Sequence, residues 1–177
     1  EEWQVKFSKL HQIEADFLNY KFGDKFDAIS CISTLEHFGF DQPNRDTKSK
    51  DGVFDRSEQP YELQSSRDTE IDQQFLQSCA DNLNENGLVF LSVPVGSGGE
   101  IQYKDSLNLY AKSFEFNSDS LSTFFDNEHF KILSQNYYSL EKSLGWKKYS
   151  HSDELKYQSA NLNPHALGVG LFVLQKN

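Results

Sequence analysis

An α/β fold on a mostly parallel sheet, closing with an antiparallel strand, is what the hydrophobic pattern predicts. Two observations carry this reading. The runs FDAISCIS (26–33) and LVFLSVPV (88–95) are almost continuously apolar, as strands covered on both faces of a parallel sheet are. Between them, residues 68–87 place apolar side chains at helical spacing and end in glycine. Helix, Gly and apolar strand in that order make half of a parallel crossover unit.

The elements follow in order. HQIEADF (11–17) reads as a short, poorly alternating first strand. In the second, Phe26, Ala28, Ile29, Cys31 and Ile32 form the apolar run, which breaks off into a Glu-His pair, Glu36 and His37. Residues 41–67 are polar and rich in Asp, Lys, Ser and Pro, the composition of a long loop or flap. The helix over 68–87 shows Ile71, Phe75, Leu76, Cys79, Ala80 and Leu83 on one face. Asp68 or Thr69 is placed to cap its start, and Gly87 to end it by turning left-handed. SFEFNSDSLSTFFDN (113–127) reads as a short helix capped near Asn117 or Ser118, and HFKILSQNYYSLEK (129–142) as a strand. GVGLFVLQKN (168–177) is a final strand, compatible with an antiparallel edge hairpin.

At 177 residues the chain suits one domain, 1–177, and its 15 Phe supply material for a core. The formal net charge of −10, with no basic stripe, argues against nucleic acid, because phosphate binding needs clustered Lys and Arg. No apolar run has the length to cross a bilayer. Cys31 and Cys79, each within an apolar pattern, read as buried reduced thiols, which implies a cytoplasmic compartment. The five histidines include no HxH or HxxxH pair, and Lys48 and Lys50 occupy ligand positions of a calcium-loop template, so no metal site is expected. The chain has no Met, not even at its start, which raises the expectation that something precedes Glu1.

An ordered set of segments resembles the C-terminal two-thirds of a class I S-adenosylmethionine-dependent methyltransferase. EADF (14–17) is similar to the family's acidic-plus-apolar step after its third strand, and FDAISCISTLEHFG (26–39) to its fourth strand running into Glu-His. FLQSCADNLNENGLVFLSVPVG (75–96) is similar to the next helix, turn and fifth strand. Here the turn is Leu83-Asn84-Glu85-Asn86-Gly87, without the usual Pro and first Gly. The tail resembles the family's sixth and seventh strands, the last of which is antiparallel. Glu-His followed by Gly, and Pro-Val-Gly after residue 93, are closest to bacterial members, some of them associated with surface-glycan pathways.

That resemblance implies a Rossmann-like methyltransferase sheet with S-adenosylmethionine across the carboxyl ends of the strands. Asp16 would accept from the adenine amino group and Phe17 pack on the ring, since an ionised carboxylate is acceptor-only. Ser33 and Thr34 would line the cofactor side of the pocket. Glu36 and His37 would face the methyl acceptor, a small molecule or glycan precursor, with His37 as a base. The family's Gly-rich loop and second strand are not recognisable before Ile13, so an N-terminal part is expected to be missing from the chain. A homo-oligomer or partner subunit would then supply it. VGSGGE (95–100) lacks the third glycine of GxGxxG and reads better as a flexible loop beside the acceptor site. Two other readings stay open: an inactive methyltransferase-like binding or scaffold module, and another Rossmann-like protein such as a nucleotide-sugar enzyme.

Overall fold

The computed structural model describes residues 11–40, 67–68, 70–104, 110–141, 145–155 and 168–177, excepting the side chains of 101–112 and 153. The elements are β1 (Phe26–Ile32), a 3-10 turn (Leu35–His37), α1 (Glu70–Asn82), β2 (Leu83–Pro94), β3 (Gly99–Lys104) and β4 (Tyr110–Glu115). They continue with α2 (Ser118–Phe125), β5 (Phe130–Glu141), β6 (Gly145–Tyr149), a 3-10 turn (Ser152–Leu155) and β7 (Gly168–Lys176). Five strands form one sheet in the order β1-β2-β7-β5-β6, and β3 pairs with β4 in a separate hairpin.

The two apolar runs pair in parallel, Ile29 opposite Val89 and Cys31 opposite Leu91. The last strand is antiparallel, as expected, but it is not an edge. It lies between β2 and β5 and runs against both. Only one of the four neighbouring pairs is therefore parallel, and the sheet is mixed rather than mostly parallel. Two glycines of β7 permit the insertion. A Cβ on Gly168 would strike the Val95 carbonyl, and one on Gly170 would meet the Phe172 ring.

Both helices cover the same face of the sheet. Phe75, Leu76, Cys79 and Ala80 of α1 share one core with Leu121 and Phe124 of α2, Val89, Leu91 and Val93 of β2, and Phe172 and Leu174 of β7. The opposite face presents Ile32, Phe90 and Leu171, which are exposed. This corrects the expectation that the run at Phe26 is covered on both sides. Among the described residues β1 pairs with β2 alone, and of its side chains only Cys31 is buried.

Two further expectations are corrected locally, and a third is narrowed. Residues 11–17 are not a strand, because Asp16 bonds its own neighbours instead. Its carboxylate accepts from Leu18 N (3.1 Å) and Asn19 Nδ2 (2.6 Å), and its carbonyl from Tyr20 N (2.9 Å), closing a turn. Helix α1 stops at Asn82, five residues early, and the left-handed residue after it is Asn86 (φ 61°), at an irregularity within β2, not Gly87. Lys176 Nζ donates to the Leu83 carbonyl at 3.1 Å, a cation at the helix C-terminus where the dipole favours it. Within 113–127 the first residues close β4, and only Ser118–Phe125 is helical.

The expected cap of α2 is present as a capping box. Asn117 Oδ1 accepts from Ser120 N, and Ser120 Oγ accepts from Asn117 N, both at 2.9 Å. Asn117→Ala is expected to cost about 1 kcal/mol in urea unfolding, with the native far-UV spectrum retained. The polar segment 41–66 lies outside the described residues, as do residues 1–10. The chain on either side of 41–66 is tied together: Asp68 N donates to the Gly39 carbonyl at 3.0 Å. Gly39 has φ 77°, and a Cβ there would come within 2.7 Å of the Asp68 carbonyl.

Candidate functional site

The carboxyl ends of β1 and β2 open onto one turn. Beyond Ile32 the chain reverses at Ser33, whose φ of 47° is a left-handed conformation that costs a non-glycine residue energy. Ser33 N donates to Ser92 Oγ (3.0 Å) and to the Ser92 carbonyl (3.2 Å), hooking the turn to β2. Thr34 Oγ1 donates to the Ile32 carbonyl at 2.9 Å. Leu35 is fully buried and anchors the turn, which two backbone bonds close: His37 N to Thr34 O (3.0 Å) and Phe38 N to Leu35 O (3.1 Å).

Glu36 is buried in this turn, although glutamate is almost never buried without a partner. Its Oε1 lies 4.0 Å from His37 Nε2, and its Oε2 has no hydrogen-bond partner among the described residues. Burial raises the carboxyl above its ordinary range, against the pull of its own backbone N–H, His37 and Arg67. Such a group keeps its proton to higher pH than an exposed glutamate, and can donate or accept a hydrogen bond as it titrates. The His37 side chain is 40% exposed. A buried carboxyl beside a half-open imidazole suits acid/base work on something entering from solvent.

Arg67 is the residue that the sequence reading missed. Its side chain is 2% exposed. The guanidinium donates from Nε to the Phe38 carbonyl (3.0 Å) and from Nη2 to the Leu35 carbonyl (3.3 Å). It also takes Asp72 of α1 in a fork, at 2.8 and 2.6 Å. It lies over the rings of Phe114 (4.7 Å) and Phe116 (5.4 Å), and Arg67 N donates to Glu100 of β3. The hairpin β3–β4 thus rests against the Glu36 turn through an arginine.

The glycine-rich stretch after β2 is held down rather than left open. Glu115 is buried and accepts from Ser97 Oγ (3.0 Å) and Gly98 N (3.2 Å), while Gly96 N donates to the Phe116 carbonyl (2.9 Å). Gly98 (φ 87°) leaves room for Asn117, against whose side chain a Cβ would clash. Two of the loop's amides are therefore occupied, one of them by a carboxylate, and the chain goes on into a strand. The arrangement does not suit an anion cradle.

Asp16 and Phe17 sit against α1. The Phe17 ring is 5.9 Å from Phe75, Phe75 is 6.0 Å from Phe38, and Ser78 Oγ donates to the Leu18 carbonyl. One aromatic chain thus links Phe17 to the residue after His37. Asp16 is exposed, and each of its carboxylate oxygens accepts one bond within its own turn. Each keeps a lone pair that could accept from an exocyclic amine. The described residues offer no matching cradle for a methionine carboxylate.

The aromatic residues considered for an acceptor pocket do not converge. The side chains of Tyr103 and Tyr110 lie outside the described residues. Trp146 and Tyr149 are on β6, the far edge of the sheet, roughly 19 Å from β1 at about 4.8 Å per strand. The Tyr149 hydroxyl is taken by Glu141 Oε1 at 2.5 Å. An open cleft of about 600 Å³ between α2 and β5, lined by Leu121, Phe125, Asp126, Gln135 and Tyr137, contains none of the site residues expected from the sequence. Both cysteines are free and buried, and burial raises the Cys31 thiol to about 11. Among the described residues no group of three His, Cys, Asp or Glu could hold a metal ion, and no helix is long and apolar enough to cross a membrane.

Fold and site together define an α/β chain with a carboxyl–imidazole pair at the tips of two parallel strands. No protein-family model matches the chain, and no curated protein does. Eight chains of known structure match. One is an S-adenosylmethionine-dependent methyltransferase from Clostridium acetobutylicum, at a TM-score of 0.46 and 8% identity over 91% of this chain. The chain spans 62% of that structure's length.

Proposed function

We propose that the chain is the acceptor-side part of an S-adenosylmethionine-dependent methyltransferase acting on a hydroxyl or amine of a small molecule or glycan precursor. The observation that carries this is the Glu36–His37 pair. It stands where two parallel strands end, with an unpartnered buried carboxyl oxygen beside a half-exposed imidazole. Methyl transfer asks the protein to align an acceptor lone pair with the sulfonium carbon and to remove its proton. His37 takes that proton in this reading, and Glu36 orients the imidazole or the acceptor. Asp16 and Phe17 receive the adenine end, and Ser33 and Thr34 flank the cofactor.

Titration calorimetry with S-adenosylhomocysteine tests the cofactor half. Micromolar binding is expected, weakened about tenfold by Asp16→Ala, the scale of one hydrogen bond to a charged acceptor. No binding by the longest available form of the chain would remove the enzyme reading. One observation favours the scaffold alternative: the amides of Gly96 and Gly98 are already bonded, so the glycine-rich loop does not stand in for a cofactor loop.

A further inference from the structure

A three-residue 3-10 turn is a poor platform for chemistry by itself. Two backbone bonds close it, Ser33 just ahead of its cap is left-handed, and short 3-10 pieces have weak hydrogen-bond geometry. Something outside must hold it. The Leu35 and Phe38 carbonyls bracket Glu36 and His37, and one side chain binds both. We propose that Arg67 is a positioning residue for the Glu36–His37 pair, its guanidinium clamping the carbonyls on either side of the pair while Asp72 balances its charge. The proposal rests on the methyl-transfer reading only for what the pair is positioned to do.

Three features favour this role over a general contribution to stability. The guanidinium spends its donors in two directions at once, two on the turn and a fork on Asp72, and only a planar, five-donor group can do that. The charge is neutralised at a site where an unbalanced cation would draw Glu36 toward ionisation. The same group stacks on Phe114 and Phe116, so the hairpin β3–β4 and the N-terminal turn of α1 both bear on the pair through it. The titratable and charged groups around the Glu36 carboxyl are His37 on its own turn, the neutral Cys31 thiol on β1, and Arg67 paired with Asp72 of α1, with Glu100 of β3 on the Arg67 backbone.

The test compares Arg67→Lys with the wild-type chain by NMR. It follows amide exchange residue by residue and the Glu36 side-chain carboxyl carbon as a function of pH. Lysine keeps the charge and loses the clamp. The expected result is exchange of the His37 and Phe38 amides faster by about tenfold, with Leu91 and Phe172 in the sheet unchanged. The Glu36 titration then moves down toward that of an ordinary glutamate as water reaches the carboxyl. Wild-type exchange and titration in Arg67→Lys would overturn the proposal, as would equal acceleration at Leu91 and Phe172. If Arg67→Lys does not fold, Asp72→Asn is measured the same way. It should loosen the same two amides to a smaller extent, and unchanged amides there would overturn the proposal equally. S-adenosylhomocysteine binding is titrated separately on the wild type. Its absence would sink the methyl-transfer reading and leave the result for the turn standing.

Discussion

Phe75→Ala is expected to lower the unfolding free energy by about 3–5 kcal/mol, the usual cost of deleting a core aromatic ring. That is a large share of the roughly 5–15 kcal/mol that holds a domain together. Phe75 is 2% exposed on the buried face of α1, with Phe17 5.9 Å to one side and Phe38 6.0 Å to the other. Both neighbours are only partly buried and pack against this ring. The substitution therefore opens a cavity between α1 and the sheet and also breaks the contact chain from Phe17 to the Glu36 turn. Phe75→Leu keeps most of the volume and should lose far less, about 1–1.5 kcal/mol. Urea unfolding followed by circular dichroism checks both. A loss under about 1 kcal/mol for the alanine variant would mean that the three rings do not act as one packed unit. Where the alanine variant stays folded, S-adenosylhomocysteine should bind more weakly to it than to the leucine variant.

What could be read from the sequence was what the chain encodes locally. The run at Phe26, the periodic face of α1 and the run at Leu88 each carry their own signal, and their order demands a parallel pair. Asn117 announces the start of α2 through its own side chain. The final strand was legible as a strand, but its place between β2 and β5 was not. Insertion depends on Gly168 and Gly170 both approaching Val95, more than 70 positions earlier, and no window of sequence contains that contact. Asp16 misled for a local reason: its carboxylate competes for nearby amides and makes a turn out of residues whose composition suggests a strand.

Arg67 was hidden by its setting. A charged residue at the end of a polar stretch reads as solvated, and its partners lie at positions 35, 38, 72, 100, 114 and 116. The Glu-His pair was visible as an interruption of an apolar run. Whether its carboxyl was buried and short of a partner was not, because burial depends on segments distant in sequence, Arg67 and the hairpin β3–β4 among them. Fold elements close in sequence were thus legible, whereas the clamp around the site was tertiary throughout.

Glu36→Gln should move stability and turnover in opposite directions, and His37→Ala should act chiefly on turnover. The Glu36 carboxyl is raised from 4.5 in the folded chain, chiefly by burial. Below that ordinary value both folded and unfolded chains hold the proton, and the carboxyl costs nothing by ionising. As pH rises through it, the unfolded chain releases its proton first, so wild-type stability falls. The fall stops once the folded carboxyl has ionised too. Glutamine has nothing to ionise, so Glu36→Gln should match the wild type at low pH and gain on it as the solution approaches neutrality. Thermal melts across that range read the difference, and parallel melting curves at every pH would show that the carboxyl is solvated. Turnover should fall by about 100- to 10,000-fold in His37→Ala, the range for loss of a positioned acid or base. S-adenosylhomocysteine production over a panel of hydroxyl and amine acceptors measures it, and cofactor affinity should stay within about twofold, since the proposed adenine contact is at Asp16 and not at His37. An unchanged rate in His37→Ala would clear the imidazole of any part in proton transfer. A more stable but slower Glu36→Gln is the signature of a carboxyl kept buried for chemistry, because a group retained for the fold would lose stability when its charge was removed.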